Sequence, residues 1–258
     1  MNSSPSKVRD VEIRDVHKAF RVDGRLVDAL AGVSLRAEEG EFVVLIGPSG
    51  CGKSTVLNIV CGLMGPDSGE VLLDGRPVPD RTGLFGYMLQ KDLLLPWRTV
   101  LENAILGPEI AGSNMRAARE EARGLLPLFG LEGFQNSFPA TLSGGMRQRA
   151  ALLRTLLCRK EVMLLDEPFG ALDALTRRQL QQWLLEVWRR FRQTIVFVTH
   201  DVDEAVYLAD RVYVMTSRPG RIGLDLEIPL ARPRQPQMIT SSDFAALKGE
   251  LLEALHAD

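Results

Sequence analysis

Nine consecutive residues of this chain have the composition and spacing of a loop that binds phosphate groups. An apolar run precedes them at 42–46, and a helix-compatible segment follows at 56–61. The glycines let the backbone turn so that successive N–H groups point at one anion, and the helix N-terminus adds unpaired N–H groups. Lys53 can reach the β- and γ-phosphates, and the Ser54 hydroxyl can join the shell of a Mg²⁺ ion. The stretch predicts a nucleoside triphosphate site rather than a turn that merely caps a helix, and it consists of Gly47, Pro48, Ser49, Gly50, Cys51, Gly52, Lys53, Ser54 and Thr55.

Two further apolar runs end in side chains that suit phosphate chemistry. The run at 162–165 leads into Asp166 and Glu167, and the run at 194–199 leads into His200. Open α/β sheets bind ligands at the carboxyl ends of their strands, so we expect these side chains near the phosphate loop. There Asp166 suits a Mg²⁺ ion and Glu167 suits a water molecule. The alternatives are a solvated strand end for the carboxylates and a structural role for the histidine.

Two other parts of the chain are candidates for nucleotide contacts. The run Ser143, Gly144 and Gly145 begins a predicted helix, and a serine before two glycines makes a second helix N-terminus that can receive an anion. Phe20 stands at the end of the first predicted strand, where it could stack on a nucleobase or pack against the sheet; the sequence leaves both open. Cys51 is interpreted as a small residue that the loop tolerates rather than as a redox group.

Composition and charge bound the class of protein. The chain has 258 residues, a net charge of −2 and 45% hydrophobic residues, which is typical of a globular protein and lacks the positive charge of a nucleic-acid-binding domain. No apolar run approaches the roughly 18 residues that span a bilayer, and residues 1–15 lack the apolar core of a signal peptide. The three cysteines show neither metal-ligand nor disulfide spacing. We therefore expect a cytoplasmic protein with one large domain or a domain with a subdomain.

The order of the predicted elements indicates an α/β fold. Antiparallel strands at 8–20 and 27–35 precede the phosphate loop, and a short apolar strand ends in Gln90. Residues 92–157 are expected to form a helical insertion, with helices at 99–106 and 115–128 separated by Gly107 and Pro108. We predict a P-loop NTPase core with a mixed sheet, an N-terminal antiparallel β subdomain and this insertion, all within 8–230. The C-terminal segment 231–258 is expected to hold a polar linker at 231–241 and a short helix.

These motifs resemble those of the ATP-binding cassette (ABC) family over nearly the whole chain. They occur in that family's order and spacing: the phosphate loop at 47–55, the Gln90 loop, the signature Leu142-Ser143-Gly144-Gly145-Met146-Arg147-Gln148-Arg149, the strand end Leu165-Asp166-Glu167-Pro168, the segment Ala171-Leu172-Asp173, and His200. The resemblance implies ATP and Mg²⁺ as ligands, with Ser54, Gln90 and Asp166 toward the metal. It also implies roles for single residues: Phe20 stacks on adenine, Gln90 senses the γ-phosphate, Glu167 accepts a proton from the attacking water, His200 holds the γ-phosphate, and Asp173 links two sites.

The resemblance also implies that the active site is shared between two copies. In this family, the signature of one cassette closes the phosphate loop of another. The chain has one loop and one signature, so neither site is complete in a monomer. ATP would then join two copies, and its hydrolysis would separate them.

A closer resemblance is to importer cassettes of the nitrate, sulfonate and taurine group, carried by the stretches 92–104 and 166–177. It implies integral membrane permease subunits as partners, an indirect extracytoplasmic solute-binding protein, and a peripheral position on the cytoplasmic face of the inner membrane. Trp97 could dock a permease helix or pack within the helical insertion. The alternative functions are another importer or exporter class, or a soluble ABC ATPase acting on DNA or ribosomes. The mild acidity of the chain argues against a nucleic acid partner.

Overall fold

The computed structural model describes residues 9–170 and 172–257. The start of the first predicted strand at residue 8 and the motif residue Ala171 lie outside the described residues. Two β-sheets and eight α-helices account for the architecture of this part of the chain.

A six-stranded sheet forms the centre of the molecule. Its spatial order is β10-β9-β3-β8-β7-β6; the five strands from β9 to β6 are parallel, and β10 pairs antiparallel with β9. Since β3, β8, β7 and β6 are neighbours, the loops that follow them begin at one edge of the sheet. The strands are β3 (Phe42–Ile46), β6 (Gly86–Met88), β7 (Val162–Asp166), β8 (Thr194–Thr199), β9 (Arg211–Met215) and β10 (Ile222–Glu227).

A second, antiparallel sheet confirms the predicted N-terminal β subdomain. Its order is β2-β1-β4-β5, built from β1 (Val11–Val22), β2 (Arg25–Ala37), β4 (Ser68–Leu73) and β5 (Arg76–Pro77). The first strand continues past Phe20, which pairs with Val27 of β2.

Strand β3 contributes side chains to two hydrophobic cores, one on each face of the sheet. Phe42, Val44 and Ile46 join a larger cluster with the helical part of the chain, whereas Val43 and Leu45 join a smaller one with the antiparallel sheet and α1 (Lys53–Val60). Alternation of side chains along a strand places them on opposite faces, and a strand covered on both faces is apolar throughout. The continuous apolar run before the phosphate loop therefore identifies a strand buried between two layers.

The expected helical insertion lies between β6 and β7. It contains α2 (Val100–Ala104), α3 (Leu106–Ile110), α4 (Met115–Leu125) and α5 (Gly144–Leu157). Asn114 caps α4 through its side chain. The break predicted at Gly107 and Pro108 is wrong, because α3 runs through both residues. Pro108 lies in the first turn of that helix, where a missing N–H costs no intrahelical hydrogen bond.

Three helices complete the fold, namely α6 (Ala174–Phe191), α7 (Val202–Leu208) and α8 (Ser242–His256). The stretch expected as a polar linker, 231–241, is held against the domain: the Arg232 guanidinium donates to the Leu208 carbonyl at 2.7 Å and Arg234 donates to the Ala209 carbonyl at 2.7 Å. Phe244 and Leu251 of α8 are buried in the larger core. Within the described residues, no helix is long and apolar enough to cross a membrane.

Candidate active site

The predicted phosphate loop lies between β3 and α1. Its residues 48–51 form a tight turn in which the Cys51 N–H donates to the Pro48 carbonyl at 3.3 Å, and Gly50 has φ 80°. This positive φ suits glycine in the third position of a type II turn. Lys53 is only 5% exposed, and its ammonium donates to the carbonyls of Gly47 at 2.8 Å and Pro48 at 3.0 Å. The lysine is thus held inside the loop by its own backbone.

The N-terminus of α1 offers free donors beside that lysine. Gly52 is the N-cap residue and has no side chain to cap the helix, and the first backbone hydrogen bond runs from the Val56 N–H to the Gly52 carbonyl at 2.9 Å. The N–H groups of Lys53, Ser54 and Thr55 precede that bond and have no partner within the helix. Such a set of donors and the helix dipole both favour an anion.

Asp166 ends β7 and is 3% exposed. Among the described residues its Oδ1 is a buried acceptor without a hydrogen-bond partner. Burial raises the pKa of Asp166 and the charge of Glu167 raises it further, whereas the Ser54 hydroxyl and the Lys53 ammonium lower it. A buried, unpaired carboxylate oxygen next to a hydroxyl fits a divalent cation.

Asp166 and Ser54 fit a Mg²⁺ ion, which needs few protein ligands. No group of three or more His, Cys, Asp or Glu side chains suited to a metal occurs in the described part of the chain. Mg²⁺ binds through one or two carboxylates together with waters and substrate phosphates, so a single aspartate and a serine are sufficient protein ligands.

Glu167 connects the loops that follow three neighbouring strands. Its Oε2 accepts a hydrogen bond from the Gln90 side-chain amide at 3.2 Å and lies 3.3 Å from Nδ1 of His200. Its backbone has φ 44°, an unusual conformation for a residue other than glycine, and its N–H donates to the Val198 carbonyl at 3.0 Å. The three side chains that the sequence predicted to act together therefore meet at one carboxylate.

The residues on either side of His200, Thr199 and Asp201, belong to a hydrogen-bond network that the sequence did not predict. The carboxylate of Glu204, 4% exposed, accepts hydrogen bonds from Thr199 Oγ1 at 2.5 Å and from the Gln181 amide at 3.0 Å, and burial raises its pKa. Asp201 caps α7 by accepting from backbone N–H groups, and Arg177 of α6 donates to its Oδ2 at 3.0 Å. The signal in the sequence was an aspartate three residues before a glutamate, which is typical of a helix N-terminus.

The signature residues begin α5, and Gly144 lines the same groove as Gln90. Ser143 caps this helix by accepting from the Met146 N–H at 3.2 Å, and it is exposed. No described hydrogen bond or ion pair joins Ser143, Gly144 or Gly145 to the phosphate loop. Asp173 is exposed at the N-terminus of α6, where hydrogen bonds from the Thr176 backbone and hydroxyl lower its pKa. Ser143 and Asp173 therefore lie at exposed helix starts, whereas Gly145 is buried.

The remaining predicted residues occupy distinct surroundings. Phe20 is half-buried, belongs to neither core cluster, and has the Lys18 ammonium 5.9 Å from its ring centroid. The packing alternative for Phe20 therefore receives no support from either core. Cys51 is buried, and burial raises the pKa of its thiol, which disfavours the reactive thiolate.

Comparison with known proteins decides the family. The ABC transporter family profile matches residues 30–170. The chain belongs to the ABC transporter ATPase family. It therefore binds ATP and is an ATPase.

Similar ABC proteins include named import subunits and solved cassettes. The aliphatic sulfonates import ATP-binding protein SsuB of Bacillus cereus is 40% identical over 243 residues, covering 94% of this chain and 94% of its own. The taurine import ATP-binding protein TauB of Rhizobium johnstonii is 43% identical over 239 residues, covering 91% of each. A bacterial ABC transporter cassette solved as a dimer has a TM-score of 0.75 and 33% identity, over 86% of this chain and 100% of that one. The same cassette is known as a post-hydrolysis dimer with ADP and Pi.

Proposed function

We propose that this ABC ATPase is the energy-coupling subunit of an importer, in which a homodimer drives solute uptake through a membrane permease. The observation that carries the catalytic part is the meeting of Gln90, Glu167 and His200 at one carboxylate oxygen beside the phosphate loop. The sulfonate and taurine import relatives support import as the direction and a small anion such as nitrate, a sulfonate or taurine as the solute.

In the proposed reaction the chain's own groups position a water and receive its proton. The Lys53 ammonium exchanges its contacts with the Gly47 and Pro48 carbonyls for the β- and γ-phosphates. Glu167 Oε2 accepts the proton of the attacking water, while Gln90 and His200, which already contact this oxygen, hold the water and the γ-phosphate. Mg²⁺, when bound by Ser54, Asp166 and Gln90, neutralises charge on the phosphate oxygens.

The site is completed by a second copy. Ser143, Gly144 and Gly145 form an N-capped helix start whose donors have no described contact with the phosphate loop of their own chain. Placed by a partner over the γ-phosphate, they would add a second helix N-terminus to the anion site. Asp173, exposed at the start of α6, would contact the other site. The dimeric form of a similar cassette supports this arrangement.

The permease is proposed to dock beside Gln90. Trp97 is 70% exposed, so the alternative of packing within the helical insertion does not apply to it. A neighbouring groove of about 480 Å³ is lined in part by Gln90, Leu93 and Leu172. Exposed aromatic side chains beside a groove are typical anchors of protein interfaces.

This docking surface is connected to the signature residues through α5. Arg154 donates to the carbonyls of Asp92 at 2.6 Å and Leu93 at 2.7 Å, and Arg147 donates to the Asp92 carboxylate at 3.2 Å. A movement of the 92–97 segment would therefore displace α5, whose first residues belong to the signature. We place the subunit peripherally on the cytoplasmic face of the inner membrane, with an extracytoplasmic solute-binding protein acting through the permease.

Affinity purification from membranes tests this function. The tagged chain should co-purify with a hydrophobic permease and without nucleic acid, and Trp97→Ala should weaken the complex at least about thirtyfold, the effect of losing an interface anchor worth 2 kcal/mol or more. Leu26→Ala is the matched control, because Leu26 is 71% exposed but lies on the antiparallel sheet. Enrichment of nucleic acid instead of a permease would favour the alternative of a soluble ABC ATPase.

A further inference from the structure

The loop between β9 and β10 lies against the outer side of the phosphate loop. Its Arg218 guanidinium donates to the Gly50 carbonyl at 3.1 Å. Its Gly220 is packed so closely that a Cβ there would lie 2.2 Å from the Cys51 carbonyl oxygen. At the start of the loop, Met215 packs on Gly47, where a Cβ would lie 2.9 Å from the Met215 carbonyl oxygen. The β9–β10 segment therefore contacts the phosphate loop at its first residue, Gly47, and again at Gly50 and Cys51.

The same loop is hydrogen-bonded to the antiparallel sheet. The Gly220 N–H donates to the Ala29 carbonyl at 2.9 Å, and the Ala31 N–H donates to the Gly220 carbonyl at 3.0 Å. Both partners belong to β2, which pairs with the strand that carries Phe20. The β9–β10 loop therefore links the phosphate-binding part of the site to the sheet that carries the proposed adenine-stacking residue.

Arg218 adds to a chain of hydrogen bonds that fixes the turn at 48–51. The guanidinium binds the carbonyl of the 50–51 peptide, the N–H of that same peptide donates to the Pro48 carbonyl at 3.3 Å, and that carbonyl also accepts from the Lys53 ammonium at 3.0 Å. Hydrogen bonds in such a chain polarise and strengthen one another. The positively charged Arg218 guanidinium thereby fixes the orientation of the Gly50 carbonyl.

We propose that Arg218 and Gly220 form a brace that holds the phosphate loop in its anion-binding shape, so that Arg218 is a positioning residue for nucleotide binding. Arginine suits this role because it keeps its charge and presents several donors, of which one binds Gly50 while the side chain remains exposed. Glycine is required at 220 because any side chain would push against the Cys51 backbone. The inference concerns nucleotide binding by the subunit itself and does not depend on the importer proposal.

The test is the affinity for ADP with Mg²⁺, measured by titration calorimetry on the full chain. ADP avoids both hydrolysis and closure of a dimer by the γ-phosphate. Arg218→Ala should raise the ADP Kd about three- to tenfold, the effect of one lost hydrogen bond at an exposed position. In steady-state assays the same variant should raise the KM for ATP and leave kcat unchanged, because the brace acts equally on bound substrate and transition state. Arg218→Lys, which keeps a charge and a donor, should restore part of the affinity.

Arg221→Ala is the matched control. Arg221 is exposed in the same loop and joins it through its backbone, where its N–H donates to Thr216 Oγ1 at 3.1 Å. An unchanged Kd for ADP in Arg218→Ala would overturn the proposal. An equal rise of this Kd in Arg221→Ala would also overturn it, because it would show a general effect of positive charge. Gly220→Ala should weaken ADP binding more than Arg218→Ala does. If the wild-type chain fails to bind ADP, the nucleotide site itself is refuted. If the wild-type chain binds ADP normally but supports no transport, only the importer function is refuted.

Discussion

Replacement of Asp166 by asparagine should make the nucleotide-free protein more stable and the nucleotide-bound protein less stable. The side chain is 3% exposed, and its Oδ1 has no hydrogen-bond partner among the described residues. Burial and the nearby charge of Glu167 raise the pKa of Asp166, which means that the folded state favours the neutral form of this group. The ionised carboxylate therefore destabilises the folded protein, and a bound cation would offset this cost.

The size of the effect follows from the buried charge, because asparagine leaves a polar group in the same place and removes only the charge. An unsatisfied buried polar group costs about 1–3 kcal/mol and a charged one costs more, so Asp166→Asn should gain about 1 kcal/mol of unfolding free energy at pH 7.5. For a chain of this size that raises the Tm by about 2–4 °C. In the wild type, protonation of Asp166 at low pH removes the cost of the buried charge. This contribution to the stability of the folded protein is lost as the pH rises through the raised pKa of Asp166. The advantage of the variant should therefore shrink as the pH falls toward about 4, the ordinary range of an aspartate pKa.

Differential scanning fluorimetry with and without Mg²⁺ and ATP measures both parts of this prediction. Bound nucleotide at a hundred times its Kd stabilises a protein by about 2.7 kcal/mol, so the wild type should overtake the variant when both ligands are present. Asp28→Asn is the control, because it removes the same charge from an exposed position. The reasoning fails if Asp166→Asn melts at or below the wild type without ligands at pH 7.5, or if Mg²⁺ and ATP stabilise both proteins equally.

Two further substitutions test the binding residues. Lys53→Ala should weaken ATP binding by at least about tenfold, because it removes the buried ammonium that stands between the loop carbonyls and the phosphates, and calorimetry that finds wild-type affinity would count against the phosphate-loop assignment. Phe20→Ala should raise the Kd for ATP about tenfold, as expected from the loss of one base–aromatic stack, and the loss should be absent for inorganic triphosphate, which has no base. An equal loss for triphosphate would show that Phe20 supports the fold instead.

The features that the sequence predicted well are those set by local patterns. The continuous apolar runs before the phosphate loop, before Asp166 and before His200 correspond to strands buried on both faces, and such runs have few other structural solutions. Ser143 was expected at a helix start and caps α5, and the helix expected from residue 115 begins there as α4.

Other features depend on contacts between distant parts of the chain. Helix α7 is short, and its role becomes visible only when Glu204 is seen to bind Thr199 and Gln181, residues of two other elements. The helix through Gly107 and Pro108 contradicts local propensity, which tertiary packing overrides here: Gly107 lies against Cys158, where a Cβ would approach its Sγ to 2.6 Å. The contact between Arg218 and Gly50 spans 168 positions, and no local pattern predicts it.

Two copies of the chain are proposed to share each ATP site, and the mass of Glu167→Gln in solution tests this sharing most directly. This variant should bind ATP but lose about 10²–10⁴-fold of its turnover, because the group proposed to accept the proton from water is gone while the phosphate loop is intact. With Mg²⁺ and ATP, light scattering should then show a shift from the monomer mass of 28.6 kDa to twice that value. The shift should vanish with ADP. A mass that stays at 28.6 kDa while calorimetry shows ATP bound would contradict the shared site.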